Sequence, residues 1–256
     1  MHIKTSAVSY LNTKPLLYGL EASGLIHDLD LSLEIPSLTA AKLLSGEADL
    51  GLVPVAILPL LPAHAQIVGN YCIGAKGAVK TVCLYSQVPL QNIEQILLDH
   101  HSRTSVQLVQ VLCRDYWQIH PDFIAAQAGF ETQIDTTTAG VIIGDRAIDW
   151  HSRFAFCYDL GAEWTAYTNL PFVFAAWVAT QPLEADFIAR LDAAFQLGVR
   201  NIDKVAEIYK PDYPADFDIF RYLTENISYE LDAPKRDGLS LFLQKLKSLT
   251  PTPSLM

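Results

Sequence analysis

The chain is 256 residues long and 50% hydrophobic, with a formal net charge of −10. That length supports one large domain or two lobes around a substantial core. The acidic balance argues against a nucleic-acid partner, which needs a Lys/Arg surface, and no apolar run reaches the roughly 18 residues of a membrane-spanning helix. A small anionic ligand stays open, because a local field can oppose the net one. Lys4 is followed by no apolar stretch of the kind a secretory leader needs, so a cytoplasmic location is expected. Cys72, Cys83, Cys113 and Cys157 are scattered among apolar neighbours and read as buried, reduced thiols rather than two disulfides.

Ile3 to Tyr10 reads as an opening strand, broken by Leu11-Asn12-Thr13-Lys14-Pro15 before a helix begins at Leu16. Pro15 suits a first helical position and Thr13 is placed to cap it. Ser9, Tyr10 and Asn12 then fall near the strand's carboxyl end beside free helix N–H groups, where open α/β sheets bind ligands. The alternative is an ordinary strand-to-helix turn with a capping Thr. Leu31 to Ile35 alternates as a half-buried strand. Ser37 can cap a helix over Ala40 to Leu44, with Gly46 ending it. Asp49 to Val53 is a short apolar strand, and a helix is expected from Pro54 to before Pro62. This alternation implies a mostly parallel sheet covered on both faces.

Ile67 to Ile73 and Val79 to Tyr85 read as apolar strands separated by Gly74-Ala75-Lys76-Gly77. After the break at Ser86–Pro89 the alternation resumes. Strands are expected at Ile96–Asp99, Trp117–His120 and Val141–Ile143, with a helix at Thr104–Arg114 and a short element near Ile134. Phe154–Cys157 and Phe172–Ala179 read as strands around a helix-like Gly161–Tyr167. From Glu184 onward only helical stripes occur: Phe187, Ile188, Leu191, Ala194 and Phe195, then Ile219, Tyr222 and Leu223, then Leu239, Phe242, Leu243 and Leu246. The tail Thr250–Ser254 is expected to be disordered. Breaks at Ser86–Pro89 and Val178–Pro182 suggest where the chain passes between lobes. They would give residues 1–87 to a first lobe, 88–179 to a second, and 180–256 to a return with C-terminal helices. Pattern alone supports an α/β fold of one or two lobes.

The sequence carries no His-Glu-x-x-His, no Cys-x-x-Cys and no acidic calcium loop, and adjacent His100 and His101 would face opposite ways on a strand. Glycine-rich nucleotide loops and Gly-x-Ser-x-Gly are also absent. No metal or cofactor is expected. Ser102-Arg103-Thr104-Ser105 stands out, because Val106, Val109 and Leu112 place it at a helix N-terminus. Three hydroxyls, a guanidinium and the positive helix end suit a carboxylate. Plain capping beside an exposed Arg is the alternative.

Ser9-Tyr10-Leu11-Asn12-Thr13-Lys14-Pro15-Leu16 resembles the opening motif of the chorismate dehydratases, which act in the futalosine route to menaquinone. Four further stretches resemble blocks of that family in order. They are Ala48 to Val55, Leu98-Asp99 with Ser102 to Ser105, Ile143-Gly144-Asp145, and Asp159 to Trp164 followed by Leu170 to Ala175. The resemblance implies a two-lobed fold like the type II periplasmic binding proteins, with a central ligand cleft. It implies a hydro-lyase acting on dianionic chorismate, which loses its C4 hydroxyl and C3 hydrogen to become an aromatic 3-substituted benzoate. Ser9, Tyr10, Asn12 and Ser86 from one lobe, with Ser102, Arg103, Thr104 and Ser105 from the other, would hold the substrate. Asn12 is the first candidate for a catalytic contact; an amide cannot be a base, so it would orient or polarise. Asp145 is the acidic candidate for the base, with capping as its alternative and a substrate carboxylate as another acceptor. Structural roles are expected for Asp99 and Glu163. Dihydroxynaphthoate synthase of the same pathway, a solute-binding protein for a small carboxylate, and a ligand-sensing domain are the competing readings.

Overall fold

A computed structural model describes residues 2–249, so the tail Thr250–Ser254 lies outside the described residues. β1 (Ile3–Val8) passes through a 3-10 turn at Leu11–Thr13 into α1 (Lys14–Ala22). β2 (Leu29–Glu34) leads into α2 (Pro36–Ser45), and β3 (Leu50–Pro54) into a 3-10 turn at Val55–Leu60. β4 (Gln66–Ala75), β5 (Val82–Ser86) and β6 (Gln95–Leu98) precede α3 (Thr104–Leu112). Then come β7 (Asp122–Ala125), β8 (Thr138–Ile143), α4 (Arg146–Trp150), β9 (Phe156–Asp159), α5 (Leu160–Thr168) and β10 (Phe172–Ala179). The chain finishes with α6 (Ala185–Val199), α7 (Ile202–Tyr209), the single turn α8 (Ile219–Arg221), β11 (Ser228–Glu230) and α9 (Ala233–Leu246). Among the described residues no helix is long and apolar enough to cross a membrane.

Three local expectations change. The Thr13 side chain does not cap α1, because the preceding 3-10 turn runs straight into the helix and its hydroxyl donates to Asn12 Oδ1 at 3.3 Å. Ser37 lies inside α2, where Pro36 starts the helix and the Leu38 and Thr39 N–H groups bond the Ile35 carbonyl. Gly46 does end α2 with a left-handed φ of 77°. Trp117–His120 is not a strand. α3 continues through a π turn at Cys113–Trp117, and Gln118 stops it at φ 54°. The Trp117 indole N–H is taken by Glu163 at 2.9 Å, a helix-side contact that outweighs the β preference of Trp and Ile.

Two compact units result, one from residues 1–74 and 173–232, the other from 75–172 and 233–256. The first holds a six-stranded sheet ordered β11-β4-β10-β3-β1-β2, with β1 parallel to β2 and β3, and β10 antiparallel to β3. α1 and α6 cross at glycines: a Cβ on Gly198 would lie 1.8 Å from the Pro15 carbonyl oxygen, and one on Gly19 would lie 1.9 Å from that of Ala194. Gly198→Ala must therefore separate the helices. It is expected to cost about 1–3 kcal/mol, the range for overpacking, read as a lower urea midpoint. An unchanged midpoint would contradict this packing.

The second unit holds a five-stranded sheet ordered β7-β6-β8-β5-β9. β6 runs parallel to β7 and β8, whereas β5 runs antiparallel to β8 and β9. These pairings move the passages between units. β5 already belongs to the second sheet, so the chain crosses at 74/75 and not at Ser86–Pro89, where Pro89 merely opens a 3-10 turn. β10 pairs with β3, so the return comes at 172/173 rather than at Val178–Pro182. Residues 233 onward leave the first unit again. Phe242 of α9 meets Phe172 and Trp164 edge-on, with centroids 4.9 and 6.0 Å apart. Lys245 reaches Asp115 at 3.0 Å and the Tyr167 hydroxyl at 2.7 Å, and Arg114 with Lys245 holds the Asp115 carboxyl down to about 2. Cys72, Cys83 and Cys113 are buried thiols, whereas the Cys157 thiol is exposed, because β9 is an edge strand.

Candidate functional site

In the first unit the parallel pairing of β1, β2 and β3 brings their carboxyl ends to one edge of the sheet. Ser9 sits there with its N–H on the Glu34 carbonyl at 2.9 Å, and the Tyr10 carbonyl accepts from Thr13 N–H at 3.0 Å. Leu11 and Thr13 are fully buried, which anchors the turn, while Ser9, Tyr10 and Asn12 stay half-buried. The Tyr229 hydroxyl donates to the Asn12 carbonyl at 3.0 Å. Burial pushes the Tyr229 phenol far up, so it remains a neutral donor at any ordinary pH. With Thr13 on its Oδ1, Asn12 keeps its NH2 group as the donor it can offer. Tyr229 escaped the sequence reading because its strand, β11, has three residues.

In the second unit the carboxyl ends of β6, β7 and β8 share an edge, and β9 joins them there because it runs antiparallel to β5. Asp99, wholly buried, organises this edge. Its carboxylate accepts the His101 N–H at 2.9 Å and the Ile143 N–H at 3.1 Å, and pairs with Arg146 at 2.5 Å. Arg146 also reaches Glu131 at 2.6 Å. The Asp99 carbonyl takes the Ser102 N–H at 3.0 Å, and Ser102 Oγ in turn takes the Ser105 N–H at 2.9 Å. Ser102 therefore caps α3, its hydroxyl proton remaining available to donate. Thr104 and Ser105 are buried in the first turn, and Arg103 between Ser102 and Thr104 is half-buried. Burial first and Arg146 second hold the His101 imidazole beside them below its ordinary range.

Asp145 follows Gly144, whose φ of 69° turns the chain out of β8 onto this same edge. Its side chain does not cap α4, although its carbonyl accepts the Ile148 N–H at 3.1 Å. Ser86 is not brought to the group. Because β5 is antiparallel to β8, the Tyr85–Gly140 pairing sets Ser86 toward the amino end of β8, at the opposite edge of the sheet. It also belongs to the second unit, not to the first with Ser9 and Asn12. Ser86 is fully buried, with Oγ accepting the Val88 N–H at 3.1 Å. The residue that β5 does deliver to the shared edge is Thr81, buried, its carbonyl accepting Gly144 N–H at 2.9 Å. Beside it Lys80 adopts a left-handed φ of 65°, and the Asp159 carboxylate holds the Val79 and Lys80 N–H groups at 3.1 and 2.6 Å. The same carboxylate caps α5 through Gly161 and Ala162. Sequence reasoning missed Thr81 because a β5 read from Val79 to Tyr85 gave no strand direction.

Residues 3–248 match the family described as menaquinone biosynthesis. The chorismate dehydratase of Thermus thermophilus is 26% identical, with 93% of this chain and 92% of that protein covered. Among solved structures, a protein from Archaeoglobus fulgidus is similar with a TM-score of 0.75 at 14% identity, covering 96% of this chain and 97% of that one. A Candida albicans protein, described as exhibiting the generic periplasmic binding protein fold, is similar at a TM-score of 0.64 and 13% identity, covering 100% of this chain and 93% of its own. These likenesses establish the expected α/β fold of the periplasmic binding proteins.

Proposed function

Because this chain belongs to the menaquinone biosynthesis family, we propose that it is a hydro-lyase converting chorismate to 3-[(1-carboxyvinyl)oxy]benzoate and water. The observation that carries this reading is the likeness to a chorismate dehydratase along nearly the whole chain. The C3–H bond gives up its proton, the C4–O bond breaks, and the departing hydroxyl leaves as water once protonated. The ring gains aromaticity, so the step is redox-neutral and calls for no cofactor. What remains for the protein is to orient the ring and manage charge and protons. Arg103, Thr104, Ser105 and the start of α3 suit a substrate carboxylate. Ser9 and Tyr10 add neutral donors, and the Asn12 NH2 group polarises or orients the leaving oxygen. Asp145 and a carboxylate of the substrate are the proposed proton acceptors. Ser86 takes no part in this assignment. A cytoplasmic location accompanies it, since chorismate is a soluble dianion.

Incubating the purified chain with chorismate and following the aromatic ether product by absorbance and mass tests the proposal. Binding without product would favour the second reading, a non-catalytic carboxylate-binding protein, which draws on the fold shared with periplasmic binding proteins. Arg103→Ala should raise KM for chorismate about 10–100-fold, the equivalent of losing a charged hydrogen bond of about 1.5–3 kcal/mol, with a smaller effect on kcat. An unchanged KM would reduce Ser102-Arg103-Thr104-Ser105 to a helix cap.

A further inference from the structure

On one face of the second sheet, just inside the edge described above, three metal-ligating side chains converge. β5 and β9 pair with Cys83 opposite Asp159 and Tyr85 opposite Cys157, so Cys83 and Cys157 are diagonal neighbours on one face. α4 ends at Trp150 and delivers His151 over that face. One ligand atom from each of Cys83, His151 and Cys157 lies within 4.8 Å of the others, and Cys157 Sγ is 3.9 Å from His151 Nδ1. The Tyr85 hydroxyl sits 3.1 Å from Nδ1 and donates to the Ala147 carbonyl at 3.2 Å, so a metal on Nδ1 leaves Tyr85 its bond to Ala147. Cys83 lies at the bottom among Leu97, Phe130 and Ile142, whereas His151 and Cys157 are open to solvent.

We propose that Cys83, His151 and Cys157 form a three-ligand site for a thiophilic metal ion, with Zn2+ as its natural class and a fourth position open to solvent. Two thiolates and one imidazole suit zinc in donor type and number, and three protein ligands leave one position vacant. Zn–S bonds of about 2.3 Å and Zn–N bonds of about 2.1 Å at tetrahedral angles put neighbouring donors about 3.6–3.8 Å apart. The Cys157–His151 separation already falls within a few tenths of an ångström of that, and a side-chain rotation at exposed Cys157 closes the rest. A disulfide is the competing use of two such thiols. Diagonal neighbours of an antiparallel pair stand wider apart than directly opposed positions, a spacing that an ion bridges more readily than an S–S bond. The bland alternative, Cys83 as a small core residue, accounts for neither His151 nor Cys157.

Zn2+ alone is the probe. The full chain, stripped with chelator under reducing conditions, is titrated against a chromophoric zinc competitor, and one equivalent should bind. Cys157→Ser and His151→Gln alter exposed side chains, so folding should survive, as circular dichroism would verify. Each should weaken binding by at least about 100-fold, the upper end of what losing an outer-shell partner costs. Co2+ in place of Zn2+ should give tetrahedral visible bands and sulfur-to-cobalt charge transfer, diminished in Cys157→Ser. Equal affinity in the wild type and both variants overturns the proposal, as does a Cys83–Cys157 disulfide that consumes both thiols in the air-equilibrated chain.

Discussion

Asn12→Ser is expected to lower kcat on chorismate by about 10²–10³-fold, the effect of removing one hydrogen bond made in the transition state, while the folding midpoint stays put. The geometry separates the two roles of this residue. Its backbone carbonyl holds the Tyr229 hydroxyl, a contact that any residue at position 12 preserves. Its amide oxygen is engaged by Thr13, leaving the NH2 group for a ligand. Ser keeps a short polar side chain but cannot reach as far. Asn12→Asp is nearly isosteric, replaces the donor with a negative charge beside a dianion, and should raise KM as well. Steady-state kinetics on both variants checks the assignment. Near-wild-type kcat in both would make Asn12 structural.

Asp99→Ala should cost about 3 kcal/mol of stability or somewhat more, the lower part of the range for breaking a buried ion pair. Asp99 has no exposure and serves two backbone N–H groups besides Arg146, so its loss strands donors from two segments. Arg146 tempers the effect, since its side chain is 29% exposed and keeps Glu131 as a partner. With a urea slope of about 3 kcal/mol/M, the midpoint should fall by about 1 M. Asp99→Ala combined with Arg146→Met should recover part of the loss, because the orphaned charge goes too. A single variant as stable as wild type would show that the edge holding Ser102 to Ser105 is fixed by other contacts.

Much of the fold was legible because hydrophobic period and proline placement are local signals. The apolar runs at Leu50–Pro54 and Phe172–Ala179 are strands buried along their length, and the α6 stripe buries Phe187, Leu191, Ala194 and Phe195. What stayed hidden depends on partners far along the chain. A stripe on α9 announces a helix but not that Phe242 meets Trp164 in the second unit. Strand direction decided the candidate site in the same way. Ser9, Tyr10 and Asn12 fell where a parallel β1 predicts, but Ser86 was lost to the far edge by the antiparallel β5. The Asp99–Arg146–Glu131 network joins residues tens of positions apart, and no spacing rule could reveal it.

The sheet order of the first unit has a consequence for synthesis. β10 stands between β4 and β3, yet it is translated only after the core strands of the second unit have emerged. Until then a nascent chain carries β3 and β4 with open edges, each able to template a wrong partner. The second unit waits as well, since the Phe242 ring that packs against Trp164 and Phe172 is made well after both of them. Neither unit can close on the ribosome in the order it is encoded. Such a chain depends on protection of those edges until β10 has been made.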